Sequence, residues 1–326
     1  MATQMVRWGV IGAAAIAEKR VIPAIQASSN GRVTAIAARD PQRARDAAAR
    51  LNIATAYDDY EALLADPEID AIYNPLPNSL HAAWSQKAAE AGKAILCEKP
   101  LARNAAEAAA LAEVCARHGV IVMEAFMYRF HPRTLRVQEL IAEGVIGEVQ
   151  QVRSSFCFSM GVPDPSNVRL QPGLAGGALM DVGCYAVNAA RLLLGAEPTK
   201  AVAVADLDER FGVDMAAVGA LEFPGGRLAA IDCSFKAGFS NTYSVIGTKG
   251  RIDVQRAFQP EQDDAPIVID AGDRPYTETI PGANQYVLMV EQFAQAVLNG
   301  APSPYPIADS VANMRVLDAL IVAARA

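Results

Sequence analysis

The first 125 residues repeat one pattern: a short apolar run, a turn, then a longer stretch whose apolar residues recur at helical spacing. Such a rhythm leaves few folds open, because parallel strands need crossovers of a dozen or more residues and helices are what fill them. Candidate strands are Arg7–Ile11, Val33–Ala38, Ala71–Asn74, Ala94–Cys97 and Ile121–Ala125. The stretches between them carry helix punctuation. Asp40 and Pro41 open a helix over Gln42–Leu51, Gly92 stops one over Ser79–Ala91, and Asn104 with Glu107 three residues on begins one that Gly119 ends. A doubly wound α/β sheet, a Rossmann domain, is the economical reading of residues 1–125.

With 326 residues the chain has room for a second domain, and residues 126–326 change rhythm. A helix through Pro132–Glu143 and a strand near Glu148–Phe158 precede a Gly- and Pro-rich loop, 161–177, and another helix. From Thr199 onward the segments Ala201–Asp206, Met215–Phe223, Arg227–Phe235, Thr242–Ile246 and Arg251–Val254 follow at short, Gly-containing intervals, as in an antiparallel sheet. In Arg227–Phe235 one face carries Ala229, Ile231, Cys233 and Phe235, which suits a sheet covered by helices on one side only. Two helices, Asn284–Leu298 and Ala308–Ala324, close this α+β domain, whose open face is available to a second subunit.

Composition excludes several classes. Hydrophobic residues make up 52% and charged residues 20%, so the chain is neither disordered nor a disulfide-stapled miniprotein. A net charge of -7 argues against nucleic acid as a partner. Five scattered cysteines without a CxxC pair predict no structural metal and a reducing compartment. Met1–Trp8 does not read as a leader, and no apolar run approaches the ~18 residues that span a bilayer. The expectation is a cytoplasmic protein, without a membrane partner, acting on a small molecule.

Directly after the first strand stands Gly9-Val10-Ile11-Gly12-Ala13-Ala14-Ala15-Ile16-Ala17. A dinucleotide needs a tight turn, close backbone approach and helix amides facing its pyrophosphate. Gly12 supplies the turn, Ala14 stands where a middle glycine is usual, and Ala17 allows the helix to pack closely. About 20 residues on, where the ribose is expected, the second strand ends in Ala38-Arg39-Asp40. Ala38 leaves room there and Arg39 can fork onto a 2′-phosphate, which favours NADP over NAD. Asp40 reads equally as a helix cap, and Arg39 as a solvated surface charge.

The fourth strand ends abruptly in Glu98-Lys99-Pro100. Ligands gather at strand carboxyl ends in open α/β sheets, so Lys99 is placed to polarise a substrate oxygen or to lower the pKa of a neighbouring acid. The plain alternative is a Glu98–Lys99 ion pair. Further on, Gly176-Gly177-Ala178-Leu179-Met180-Asp181-Val182-Gly183-Cys184-Tyr185 opens a helix. Asp181 and Tyr185 are four apart and share a helical face, a carboxylate for a sugar hydroxyl beside a phenol able to exchange a proton. A core tyrosine bonded to Asp181 is the competing reading.

Five motifs in order, Gly9–Ala17, Pro75-Leu76-Pro77-Asn78-Ser79-Leu80-His81, Glu98-Lys99-Pro100, Glu124–Pro132 and Gly177–Tyr185, make the chain resemble the Gfo/Idh/MocA family over essentially its whole length. The resemblance implies a Rossmann domain followed by a largely antiparallel one, and NAD(P)-linked oxidoreduction of sugars or polyols. It implies Lys99 as catalytic lysine, Asp181 as substrate ligand and Tyr185 as proton donor or acceptor, with Lys99 and Tyr185 expected to converge across an interdomain cleft. Gly12, Ala13, Ala14, Ile16, Ala17, Ala38, Arg39, Pro75, Leu76, Pro77, Asn78, His81, Glu98, Lys99 and Arg129 would line the cofactor. Tyr185 and Ala38-Arg39 look most like the NADP-using branch of D-xylose dehydrogenases, dihydrodiol dehydrogenases and glucose–fructose oxidoreductase. A homodimer or homotetramer through the open sheet face is implied. Two alternatives stay open: a dinucleotide-sensing regulator without catalysis, and a sugar–sugar oxidoreductase that never releases its NADP. Specificity is expected to lie in loops such as 161–175 and 258–276.

Overall fold

The computed structural model describes residues 4–325; of the segment Met1–Trp8 read for a leader, the first three residues lie outside it. Two compact units emerge, one built on Met1–Met127 with Asn284–Val311, the other on Tyr128–Ala283 with Ala312–Ala326.

The first unit holds β1 (Val6–Ile11), α1 (Ile22–Ala27), β2 (Gly31–Ala37), α2 (Pro41–Leu51), β3 (Thr55–Tyr57), α3 (Tyr60–Ala65), β4 (Ala71–Asn74), α4 (Asn78–Glu90), β5 (Ala94–Cys97), α5 (Ala105–His118) and β6 (Val122–Glu124). Its six strands run in the order β3-β2-β1-β4-β5-β6, with every neighbouring pair parallel. The order reverses between β1 and β4, so the turns after these two strands flank the switch point where such sheets bind ligands. β4 and β5 are buried throughout, as strands covered on both faces must be. Side chains fix the helix starts: Asp40 accepts from the Gln42 N–H at 2.9 Å and Asn104 from the Glu107 N–H at 2.9 Å. The edge strand β3 and the helix α3 after it were not expected. Three residues are too few to show a period.

The second unit holds α6 (Pro132–Ala142), β7 (Val149–Cys157), α7 (Cys184–Leu194), β8 (Lys200–Asp208), β9 (Val213–Phe223), β10 (Arg227–Ser234), β11 (Ser240–Gly247), β12 (Gly250–Gln255), β13 (Ala265–Ala271) and β14 (Tyr276–Ile280). These strands form one sheet, ordered β14-β13-β12-β11-β7-β10-β9-β8 and antiparallel except for the central β7–β10 pair. Segment 258–276, expected to be a specificity loop, contains β13 at its centre with loops on either side. There Ala265, Ile267 and Ile269 are buried at period two, and Pro266 disguises the pattern. On β10 the covered face, Ala229, Ile231 and Cys233, is buried, while Leu228 on the other is half exposed. The open face also shows Val202, Val204 and Val218, with Val204 and Val218 opposite one another across β8 and β9.

The closing helices α8 (Gln285–Asn299) and α9 (Ile307–Ala323) correct the division at residue 125/126. α8 belongs to the first unit: its apolar stripe includes Phe293, whose ring lies 5.3 Å from that of Trp8 on β1, and Glu291 accepts from the Ser29 N–H and hydroxyl at 2.8 Å. α9 carries the chain back to the second unit. Stretch 172–194 is long and apolar enough to cross a membrane by composition, contrary to expectation, but 89% of its most apolar window is buried within the protein. It is a core helix. All five cysteines are free and buried.

Candidate functional site

In the first unit β1 runs into Gly12, whose φ of +129° L-residues avoid. A Cβ there would also press on the Leu76 side chain, which with Pro75 stands on the other side of the switch point. The Gly12 N–H donates to the Ala37 carbonyl at 2.8 Å and so ties this turn to the end of β2. Ala13, Ala14 and Ile16 are partly exposed, whereas Ala17 is fully buried. A small residue at Ala17 lets the helix begin hard against the sheet, which leaves its first amides at the strand ends. The opening turn, Ala17–Val21, is π-helical, a local bulge that recurs at functional sites. A carboxyl-end turn free of bulky side chains, with a helix starting on it, fits a dinucleotide pyrophosphate.

At the end of β2, Ala38 is buried and Arg39 exposed. Asp40 is engaged in capping α2. Sequence reasoning missed Arg43, whose Nη2 donates to the Ala13 carbonyl at 3.0 Å and which lines a cavity of about 330 Å³ with Ala13, Ala15, Lys19 and Arg50. Tyr60 reports where these cations stand: burial pushes its phenol up, while a backbone hydrogen bond at Arg39 and the charges of Arg39 and Arg43 pull it down. Both guanidinium groups therefore act on Tyr60, close to the end of β2. A signal existed in the sequence, because a cation in the first turn of a helix opposes the helix dipole, and such local conflicts mark functional positions.

Lys99 follows β5 directly, half-buried, and its peptide bond to Pro100 is cis. The backbone beyond it is held from two sides. His81, fully buried in α4, places Nδ1 2.7 Å from the Pro100 carbonyl and Nε2 2.6 Å from the Leu76 carbonyl. Burial drives this imidazole down to about 4, so it is neutral and donates to one carbonyl only. On the other side Glu124 at the end of β6, itself buried, accepts from the Leu101 N–H at 2.9 Å. Glu98 accepts from the buried Tyr73 hydroxyl at 2.7 Å. Asn78, at the start of α4, is half exposed. His81 thus stands between the Leu76 and Pro100 carbonyls and holds one of them by its single N–H, and Glu124 is a further support that the motif contained without an assigned role.

In the second unit Asp181 lies on a π-helical turn, Leu179–Gly183, that runs into α7 and Tyr185. Gly176 and Gly177 make this start possible. A Cβ on Gly176 would overlap the Arg169 carbonyl, and one on Gly177, at φ +109°, would overlap the Asp214 carboxylate. Asp214 accepts from the Leu179 N–H at 2.6 Å, and burial raises its carboxyl to about 6. Tyr185 is 5% exposed, within an aromatic box whose centroids lie 5.3 Å away for Phe156, 5.3 Å for Phe258 and 6.2 Å for Tyr128. The Asp181 carboxylate accepts from Nε of Arg169 at 2.6 Å. Arg129 belongs to this unit, not to that of the other expected cofactor residues, and its Nη1 lies 3.4 Å from the Asn188 Oδ1 that also accepts from Tyr128 at 2.6 Å.

Two family profiles match the chain. Residues 6–126 match "Oxidoreductase family, NAD-binding Rossmann fold", and residues 134–253 match the GFO/IDH/MocA C-terminal domain. A D-xylose 1-dehydrogenase (NADP(+)) of Haloferax volcanii is 45% identical over 315 residues, 96% of this chain and 95% of the relative. A 3-ketoreductase from Actinomadura kijaniata, crystallised with NADP and TDP-benzene, superposes with a TM-score of 0.92 at 34% identity, covering 98% of both chains. That enzyme has also been crystallised with a tyrosine changed to phenylalanine and with a lysine changed to alanine. An aldose–aldose oxidoreductase from Caulobacter crescentus superposes at 0.91 with 28% identity, over 99% of this chain and 98% of that one. With both halves matched and the same architecture in its relatives, the chain belongs to the Gfo/Idh/MocA family of oxidoreductases.

Proposed function

We propose that the protein is an NADP(H)-dependent sugar dehydrogenase or reductase, working on a CH–OH carbon of an aldose or a related polyol or ketosugar. The observation that carries this is the Lys99 turn at the carboxyl end of β5, in a Rossmann unit whose β2 end presents Arg39 and Arg43 where a 2′-phosphate belongs. The named relatives, an NADP-linked xylose dehydrogenase and a ketoreductase bound to NADP, support the same reading.

When bound, NADP supplies the hydride acceptor. The turn at Gly12 and the amides after it would hold the pyrophosphate, with Pro75, Leu76, Asn78 and Glu98 at the neighbouring strand ends. In oxidation the Tyr185 oxygen takes the proton of the substrate hydroxyl as the carbon gives up its hydride; in reduction Tyr185 returns it. Lys99 is the electrostatic partner of this transfer, because an ammonium favours phenolate. Asp181 orients the sugar by accepting from a second hydroxyl. The aromatic box around Tyr185 keeps water from competing for that proton.

NADPH absorbance with a panel of aldoses tests the reading. Turnover of at least one sugar is expected, with a fall of about a hundredfold to ten-thousandfold for Lys99→Ala and for Tyr185→Phe. Near-normal turnover in both variants with cofactor still bound refutes the roles, and silence on every sugar favours a dinucleotide sensor. A nicotinamide band that stays with the purified protein, with sugar-dependent bleaching and recovery, points instead to sugar–sugar exchange, the activity named for the Caulobacter relative.

A further inference from the structure

Within loop 161–177, Arg169 joins the backbone of the loop to the side chain of Asp181. Its backbone carbonyl accepts from the Gly177 N–H at 2.9 Å, its N–H donates to the Asn167 side chain at 3.1 Å, and its Nε donates to Asp181 at 2.6 Å. The arginine sits in a one-turn 3-10 segment, Val168–Leu170, and Gly176 is glycine because a Cβ would overlap the Arg169 carbonyl. This position is therefore fixed by the fold. Beneath the guanidinium lies Phe158, whose ring centroid is 5.9 Å from Arg169 Cζ and which packs on Phe235 at 5.4 Å.

The pair joins two groups of unequal exposure. The Asp181 side chain is 13% exposed, whereas that of Arg169 is 41% exposed, so the carboxylate is sheltered and the guanidinium edge opens outward. Nε is spent on Asp181; the two Nη groups have no hydrogen-bond partner among the described residues. Asp181, first, and Tyr185 hold the guanidinium above its ordinary range, so it stays charged beside the phenol. Side by side, the two groups offer outward donors next to an acceptor, with an apolar ring below. That is the complement of two adjacent hydroxyls on a sugar ring, one accepting and one donating, with the ring's C–H face toward Phe158.

We propose that Arg169 is a specificity-determining residue that reads, together with Asp181, a vicinal pair of hydroxyls on the substrate. This rests on the sugar oxidoreductase reading above. It assigns Arg169 the oxygen next to the one bound by Asp181, and it predicts a preference for neutral polyols, since the pair carries no net charge. A guanidinium donating to a hydroxyl is worth about 1.5–3 kcal/mol, roughly tenfold to a hundredfold in discrimination.

The experiment compares D-xylose, D-glucose and the 2-deoxy and 3-deoxy analogues of D-glucose in the wild type, Arg169→Met and Arg169→Lys, with kcat and KM measured separately under saturating NADP. One deoxy analogue is expected to carry a KM penalty of about tenfold to a hundredfold in the wild type. Arg169→Met is expected to bring the parent sugar down to that analogue's level, abolishing this one penalty and leaving the other in place, with Arg169→Lys intermediate. A uniform loss across all four sugars, or no change, overturns the proposal, because a merely structural role would not single out one hydroxyl. Should the wild type turn over none of these sugars, the enzymatic reading fails for these four. Calorimetric binding of the same sugars to NADPH-loaded protein then decides on the same ratios, and absence of binding overturns both.

Discussion

Asp214→Asn separates the start of the Asp181–Tyr185 helix from the rest of the protein's pH dependence. Asp214 is buried at the head of β9, and its Oδ2 accepts from the Leu179 N–H at 2.6 Å. Burial raises its carboxyl from 3.8 to about 6 against the pull of the Leu179 and Ala178 N–H groups and the charge of Arg325. A carboxyl whose folded pKa exceeds its unfolded one favours folding fully below about 4, and that contribution disappears as the pH rises through 6. About two units at 1.36 kcal/mol each give roughly 3 kcal/mol as the most that can be lost by neutral pH. An asparagine keeps an acceptor for Leu179 and cannot ionise. The stability of Asp214→Asn minus that of the wild type should therefore rise between about pH 4 and 6 and be flat above it, by up to roughly 3 kcal/mol, or about 4 °C in Tm for a chain of this length. Urea unfolding across this range measures it. His81 and His131, both driven down to about 4 by burial, act in the opposite sense, losing stability as the pH falls below 6.5, so only the difference between the two proteins is diagnostic. A difference that does not change with pH refutes a raised Asp214.

Two further outcomes follow from the geometry. Arg43→Ala should raise the KM for NADP by about tenfold to a hundredfold, the worth of one charge-assisted contact, while the KM for NAD stays within about twofold; equal losses with both cofactors remove Arg43 from the 2′-phosphate site. For assembly, we propose that the open face of the second sheet is covered by another copy of the chain, because Val204 is 78% and Val218 63% exposed there, and such exposed apolar surface normally seeks a partner. Val204→Lys should shift the mass measured by light scattering toward the monomer, and an unchanged mass in both proteins that is already monomeric refutes it.

How much of this was legible in the sequence depended on whether the determining contacts were local. Asp40, Asn104 and Gly119 were readable as helix boundaries because each acts on backbone within three or four residues, and each does so in the structure. Gly12 was readable for the same reason, since a strand, a positive φ and a helix start occupy one short segment. The destination of α8 was not, because its stripe of Val290, Phe293 and Ala294 says only that it will be buried, and the Trp8 ring that receives Phe293 lies nearly the whole chain away. β13 failed on chemistry, with Pro266 interrupting a run that otherwise alternates.

The functional groups divide along the same line. Lys99 stands out in sequence as a charge at the end of an apolar run, yet what fixes its turn is the pair of braces from His81 and Glu124, 18 and 25 residues away in the chain. Tyr185 was found through its spacing to Asp181, while the Phe156 and Phe258 rings around it come from β7 and from the loop after β12. Motifs thus named the groups proposed to meet substrate, and they also contained His81 and Glu124 without marking either as a support. Catalysis of the proposed kind needs both, because a phenol displaced by even an ångström loses the proton it is there to move. The residues that carry no motif, Arg43, Arg169 and Asp214, are accordingly where two members of this family with the same lysine and tyrosine can differ in cofactor, sugar and pH.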